Sequence, residues 1–243
     1  MVRINESLQA GKRMIDIGVG VSFEKNEIAA AEEAVRQAKS RKTSKEKIDL
    51  VLTFSTADFS SVSIIKHLNT FLGNIPIFGS NSTALITDTG IFKHGLIVML
   101  IGFPEGVYFN TAYTKTNETV SSTTGGEDLG EKLLYGFQNV PRTLSFLLFD
   151  RMEETGADFM AGLQGKLGRS FPCIGASISN PALSGRDSLF FNNTILNNAC
   201  IGILWGGKFN FGLGLKHGWK PLGKPHTITQ AYENIIVSID DKP

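Results

Sequence analysis

Apolar and polar positions follow the same order twice along the chain. Between Asp49 and Gly102, an apolar run at Leu50 to Phe54 precedes an amphipathic stretch at Ser60 to Leu72, then Pro76-Ile77-Phe78-Gly79-Ser80, then a second apolar run at Leu96 to Ile101. Between Thr143 and Gly206 the order recurs as Leu144 to Phe149, Glu153 to Leu167, Pro172-Cys173-Ile174-Gly175-Ala176 and Cys200 to Trp205. Short apolar runs bounded by turn residues read as buried strands. The stripes Val62, Ile65, Leu68, Phe71, Leu72 and Phe159, Met160, Leu163, Leu167 have helical spacing. Ser60 and Asp58 are candidate caps for the first helix, and Gly73 and Gly168 are stops. The pattern predicts two strand-helix-strand units packed as pseudo-twofold partners, with chemically similar loops converging on a shared cleft.

The flanking segments extend this plan. Ile15, Ile17, Val19 and Val21 alternate with Asp16, Gly18 and Gly20, which predicts a half-buried strand over Met14 to Val21. Ile28, Ala31, Ala34, Val35 and Ala38 form one stripe of a helix over Asn26 to Lys39. Arg41 to Lys47 reads as a solvated charged linker, Thr114 to Gly126 as the connection between halves, and Glu127 to Phe137 as a short helix. Beyond Pro172, the runs Leu189 to Phe191, Ile195 to Leu196, Ala199 to Trp205 and Phe209 to Lys216 are separated by Asn-Asn and Gly-Gly pairs. These pairs tolerate positive φ and predict an antiparallel meander, with a final strand at Ile235 to Ile239. The expected fold class is α/β (mixed α+β): two related halves, each a mixed sheet covered by helices, in a layered sandwich. The expected division is 1–113, a connection at 114–126, and 127–243, or one integrated domain.

Charge narrows the function classes. The 243 residues carry 24 Lys and Arg against 23 Asp and Glu, a net +1, with the basic residues dispersed. No footprint for nucleic acid or an anionic membrane follows from this. The longest apolar runs fall well short of the ~20 residues of a spanning helix. Met1 to Lys12 has no apolar core for a secretory signal, so a cytoplasmic location is expected. Cys173 and Cys200, the two cysteines, sit in apolar settings where a thiol acts as a small hydrophobe, and no disulfide is expected.

Chemistry-bearing patterns are few. Gly18-Val19-Gly20-Val21-Ser22 lacks the third glycine of a dinucleotide loop, because Phe23 stands there; glycines inside a strand instead admit a closely packed neighbour. The four histidines and two cysteines have no metal-ligand spacing, no Gly-x-Ser-x-Gly elbow exists, and Cys173 has no activating neighbour. Neither a catalytic residue nor a metal or cofactor is expected. The polar turns stand out. Gly79-Ser80-Asn81-Ser82-Thr83 and Gly175-Ala176-Ser177-Ile178-Ser179-Asn180 combine hydroxyls, carboxamides and flexible backbone, which suit a small polar ligand and equally suit a turn. Arg151, after the second repeat strand, offers a carboxylate fork, whereas Asp150 before it reads as a helix cap. The candidate ligand site is Ser80, Asn81, Ser82, Arg151, Ser177, Ser179 and Asn180.

Taken in order, Gly18-Val19-Gly20-Val21-Ser22, Asp49 to Ser55, Pro76 to Ser82, Pro172 to Gly175, Leu189 to Asn193, Ala199 to Gly207, Gly218 to Gly223 and Thr227 to Ala231 before Ile239-Asp240 resemble the N-terminal FIST domain. The resemblance covers nearly the whole chain, although the second turn reads Gly175-Ala176 where the family often has paired glycines. It implies an intracellular sensory domain that binds a small ligand such as an amino acid. It also implies a signalling partner or a C-terminal FIST domain, and no known enzymatic activity. The alternatives from the residues are a protein interaction module, presenting Phe209, Phe211 and Trp219, and an unrecognised enzyme.

Overall fold

The structure is a computed structural model and describes residues 14–44, 47–115, 122–150, 156–178, 188–232 and 235–243. The chain to Phe209 forms one compact unit and Asn210–Pro243 a second.

In the first unit, one succession of elements runs β1 (Asp16–Ser22), α1 (Glu27–Arg41), β2 (Leu50–Thr56), α2 (Ser61–Leu72), β3 (Ile77–Ser82), β4 (Leu85–Thr87), β5 (Gly90–Phe92) and β6 (Leu96–Gly102). The next runs β7 (Val107–Lys115), α3 (Ser122–Leu134), β8 (Arg142–Phe149), α4 (Gly156–Leu167), β9 (Cys173–Ser177), β10 (Leu189–Phe191), β11 (Thr194–Leu196) and β12 (Ala199–Gly207). Local chemistry sets several boundaries. Asn26 caps α1 by accepting the Ile28 and Ala29 amides, and Ser60 caps α2 by accepting the Ser63 amide.

The strand orders are β1-β6-β2-β3-β10-β11 and β7-β12-β8-β9. The first four strands of each sheet have the same polarity. β1 and β6, then β6 and β2, pair antiparallel, and β2 and β3 parallel; β7 and β12, β12 and β8, and β8 and β9 repeat this. The hairpin β10–β11 leaves its own succession and adds antiparallel to β3, with Phe190 opposite Gly79.

Three apolar layers hold the unit together. Ala34, Val51, Ile64, Leu68 and Val98 pack α1 and α2 onto the first sheet. Leu129, Leu147, Phe159, Leu163 and Leu204 pack α3 and α4 onto the second. Between the sheets lie Leu50, Phe78, Ile101, Leu148, Ile201 and Ile203. The result is a helix–sheet–sheet–helix sandwich of the expected mixed α/β class. Full burial of a Leu, Ile or Phe stabilises by roughly 1.5–3 kcal/mol, so the layer between the sheets fixes their mutual placement.

Glycine sets the closest approaches. A Cβ on Gly20 would lie 1.9 Å from the Ala34 carbonyl oxygen, so β1 lies against α1 only because that position is bare. Between α3 and α4, a Cβ on Gly126 would lie 2.0 Å from the Phe159 oxygen, and one on Gly162 2.0 Å from the Thr123 oxygen.

Several expectations change. In the connection read at Thr114 to Gly126, the described residues belong to regular elements: Thr114 and Lys115 finish β7 and Ser122 to Gly126 lie in α3, while 116–121 lie outside the described residues. Its small residues mark a close helix contact. The expected meander is divided, because β10–β11 joins the first sheet while β12 lies centrally in the second. The run from Phe209 to Lys216 forms no strand; Gly212 and Gly214 weaken it, and no described strand pairs with it. The charged stretch from Arg41 to Lys47 is not uniformly solvated, since the Lys42 side chain is fully buried.

In the second unit, β13 (Ile228–Tyr232) and β14 (Ile235–Ile239) form an antiparallel hairpin with two register shifts. Asp240 closes it, with Oδ2 2.5 Å from His226 Nδ1 and Oδ1 accepting the Thr227 amide at 2.9 Å.

Candidate functional site

The parallel pair β2 and β3 ends at Thr56 and Ser82, and four connections meet there. The Thr56 hydroxyl accepts the Gly95 amide at 3.0 Å, and the Ala57 amide donates to the Ser82 carbonyl at 2.9 Å. His94, from the turn before β6, pairs through Nδ1 with Asp58 and packs tilted against Phe59 with ring centroids 4.7 Å apart; its Nε2 lies 3.2 Å from the Glu24 carbonyl after β1. Burial raises the Asp58 carboxyl, but hydrogen bonds from Thr56 and His94 and the His94 charge more than offset this, leaving its pKa below the ordinary 3.8. Asp58 therefore stays ionised at neutral pH. Its side chain is 51% exposed and that of His94 31%, so both face solvent from a fixed position.

Beneath this rim the strand ends are polar and closed. Ser55, Thr56, Ser80 and Asn81 are all buried. Asn81 Oδ1 accepts the Ser188 amide at 2.9 Å and the Asn81 amide donates to the Ser188 carbonyl at 3.0 Å, so Asn81 holds the approach to β10. Ser55, opposite Asn81 in the register, has a buried hydroxyl with no hydrogen-bond partner among the described residues. Ser82 is half-buried and donates to the Ala84 carbonyl at 3.0 Å.

The second sheet repeats the clasp at its strand end. Asp150 stands where Thr56 stands. Its amide donates to the Ala199 carbonyl at 2.9 Å, and its Oδ2 accepts the Asn198 amide at 2.5 Å. Asp150 thus anchors the turn before β12; the residues that join it to Gly156, the first described residue of α4, lie outside the described residues, and the capping role the sequence suggested lies there with them. Ser177, at the end of β9, is exposed.

Of the seven predicted site residues, Ser80, Asn81 and Ser82 thus lie together at the end of β3. Ser177 lies at the matching end of β9. Arg151, Ser179 and Asn180 lie outside the described residues. The sequence reading missed the Asp58–His94 pair, because it took Asp58 as a candidate helix cap and weighed the histidines for metal-ligand spacing. The signal for it was the Phe92-Lys93-His94-Gly95 turn, whose glycine brings the ring back over the β2–α2 loop.

Other groups have structural explanations. Burial raises the Cys173 thiol to about 11 and the Cys200 thiol well above its ordinary value, so neither is poised as a nucleophile. Among the described residues no group of three His, Cys, Asp or Glu side chains is placed to hold a metal ion. A depression of about 610 Å³ lies at the opposite end of the first sheet, beside Asp16, Ser44, Lys47, Gly102 and Phe103. It contains none of the predicted site residues.

Comparison with known proteins adds the following. No curated protein sequence matches the chain. Seven solved chains match, one of them the crystal structure of a cyanuric acid hydrolase from A. caulinodans, at 9% identity and a TM-score of 0.40, over 82% of this chain and 72% of that one. So distant a likeness says nothing of activity. No described helix is long and apolar enough to cross a membrane. The FIST N domain family model matches residues 49–242, and the chain belongs to that family.

Proposed function

We propose that this chain is a cytoplasmic sensory domain that binds a small polar ligand, such as an amino acid, at the carboxyl ends of its paired parallel strands. It reads occupancy out to a signalling partner or a C-terminal FIST domain. The observation that carries this reading is the concentration of hydrogen-bonding groups at the end of β2 and β3, including one buried hydroxyl, Ser55, that has no partner among the described residues. An unmatched buried hydroxyl costs roughly 1–3 kcal/mol, and sites that retain such a group are commonly ones that a ligand or water completes.

The roles divide by accessibility. Ser82 and Ser177 meet the ligand from the two strand ends, and the ionised Asp58 suits an amine. Arg151 suits a carboxylate, and Ser179 and Asn180 add hydrogen bonds. Ser80 and Asn81 act from below, fixing the end of β3 through Ser188. The common strand order of the two sheets supports treating the chain as two copies of one unit, with a cleft shared between them. The raised thiols and the fully engaged His94 ring favour binding over catalysis.

Chemical-shift mapping with amino-acid and metabolite mixtures tests this reading. Binding should move the amide signals of Ala57, Asp58 and Ser82, and Ser82→Ala or Arg151→Ala should weaken it. Shifts confined to the depression beside Asp16 and Lys47 would place the site elsewhere and sink the assignment.

A further inference from the structure

The two sheets differ at one edge. β3 receives the β10–β11 hairpin, whereas β9, its counterpart, is the last strand of its sheet among the described residues. The hairpin that corresponds to β10–β11 is β4–β5, which pairs only with itself. Among the described residues, one hairpin therefore lacks an acceptor strand and one acceptor edge lacks a hairpin.

We propose that the open edge of β9 takes the β4–β5 hairpin of a second copy of this chain, so that copies associate head to tail. The proposal rests on treating the chain as two copies of one unit, and the pairing already made inside the chain is its template. β3 and β9 match residue for residue: Gly79 and Gly175 both lie against the preceding strand, where a Cβ would come within 1.7 Å of the Thr53 oxygen and 2.0 Å of the Leu147 oxygen. In β3, the Asn81 amide and the Ile77 carbonyl point to the hairpin side, bonding the Ser188 carbonyl and the Asn192 amide. In β9, the Pro172 carbonyl and the Ile178 amide are used toward β8, so by alternation Cys173 and Gly175 direct their backbone groups to the open edge.

Burial points to the same occupant. Phe190, which lies opposite Gly79, is fully buried by docking on β3; Ile86, its equivalent in β4, is 76% exposed, and Ile91 in β5 is 72% exposed. Leu85 is buried and Phe92 packs on Phe23, so the hairpin is held on one face while Ile86 and Ile91 on the other remain uncovered, and an open strand edge is a template for another strand. Transferring the β3–β10 register gives Ile86 opposite Gly175, Leu85 opposite Ala176 and Thr87 opposite Ile174. Such a contact is heterologous, joining different surfaces of the two copies, and it closes into a ring or extends according to its rotation.

Light scattering on the full chain across a wide concentration range provides the test. The expected mass rises above the monomer with concentration. Ile86→Asp with Ile91→Asp should return it to monomer at unchanged melting temperature. Thr87→Cys with Ile174→Cys should form, under mild oxidation, a bond between positions 87 and 174 of different copies, because that non-hydrogen-bonded pair brings Cα atoms to about 4.5 Å. A chain that stays monomeric at every concentration and forms no such bond overturns the proposal. So does association that survives the Ile86 and Ile91 changes, or a monomer that captures only a foreign hairpin peptide at β9. None of these readouts needs the ligand, so their failure is distinct from failure of the sensor reading.

Discussion

Lys42 shows how much one side chain can contribute at a position that composition alone would call solvent. Its Nζ lies 3.1 Å from Asp16 Oδ2 and donates to the Asp16 carbonyl at 2.9 Å, tying the end of α1 to the start of β1. Lys42→Ala removes the ion pair and the charged hydrogen bond to the Asp16 carbonyl while Asp16, partly exposed, remains beside the depression, a loss of about 1.5–3 kcal/mol. The expected value here is at the lower end, because Asp16 keeps the Thr43 and Ser44 amides; urea unfolding would measure it. Burial raises the Asp16 carboxyl, but those two amides and Lys42 more than offset it, so its folded pKa lies below 3.8. The folded state then holds fewer protons than the unfolded one in that range. Its contribution is complete above about pH 4 and declines as pH falls through the depressed value. Asp16→Asn should flatten this acid limb of the stability curve, and an unchanged limb would show that the pair carries no linkage. At the strand end, Ser55→Ala separates structure from function. Deleting an unpaired buried hydroxyl should leave stability unchanged or raise it by up to about 1 kcal/mol while weakening ligand binding. A loss of stability would show that the hydroxyl is already satisfied.

Between elements, the decisive contacts are backbone to backbone, and this is where the sequence was hardest to read. Gly125-Gly126 looks like a loop by composition, yet it lies in α3 because Gly126 touches the backbone of α4 and Gly162 touches that of α3. Gly126→Ala or Gly162→Ala should therefore cost about 1–3 kcal/mol by forcing the helices apart. Gly165→Ala, on α4 with nothing within 4 Å, should instead stabilise by up to about 1 kcal/mol through helix propensity. Thermal melts of the three variants would check the contrast; equal effects would mean that the close approach is not limiting. The elements with strong period, β2, α2, β6, β8 and β12, were legible because each buries a regular apolar face. β4 and β5 are three residues each and too short to show a period, and β10–β11 was legible as a hairpin but not in its choice of sheet. That choice depends on the edge of β3, more than a hundred residues earlier in the chain, which no local pattern encodes.

At the scale of the molecule, two sheets of one strand order share an apolar layer, and each carries a polar clasp at the end of its parallel pair, through Thr56 in one and Asp150 in the other. The sequence located the end of β3 as chemically distinctive through Ser80, Asn81 and Ser82. It did not separate the buried pair from the reachable Ser82, because burial there comes from the distant Ser188 and Leu189. The Asp58–His94 pair was hidden for the same reason, since its partners lie on separate loops. The central claim is that this strand end receives a small polar ligand. The most direct measurement is a thermal-shift screen of the purified chain against the amino acids and common metabolites, because a ligand that binds only the folded state raises the melting temperature with concentration. The account predicts a saturable rise with one class of compound, reduced in Ser82→Ala and Arg151→Ala. A chain whose melting temperature moves with no compound, or moves equally in both variants, would contradict it.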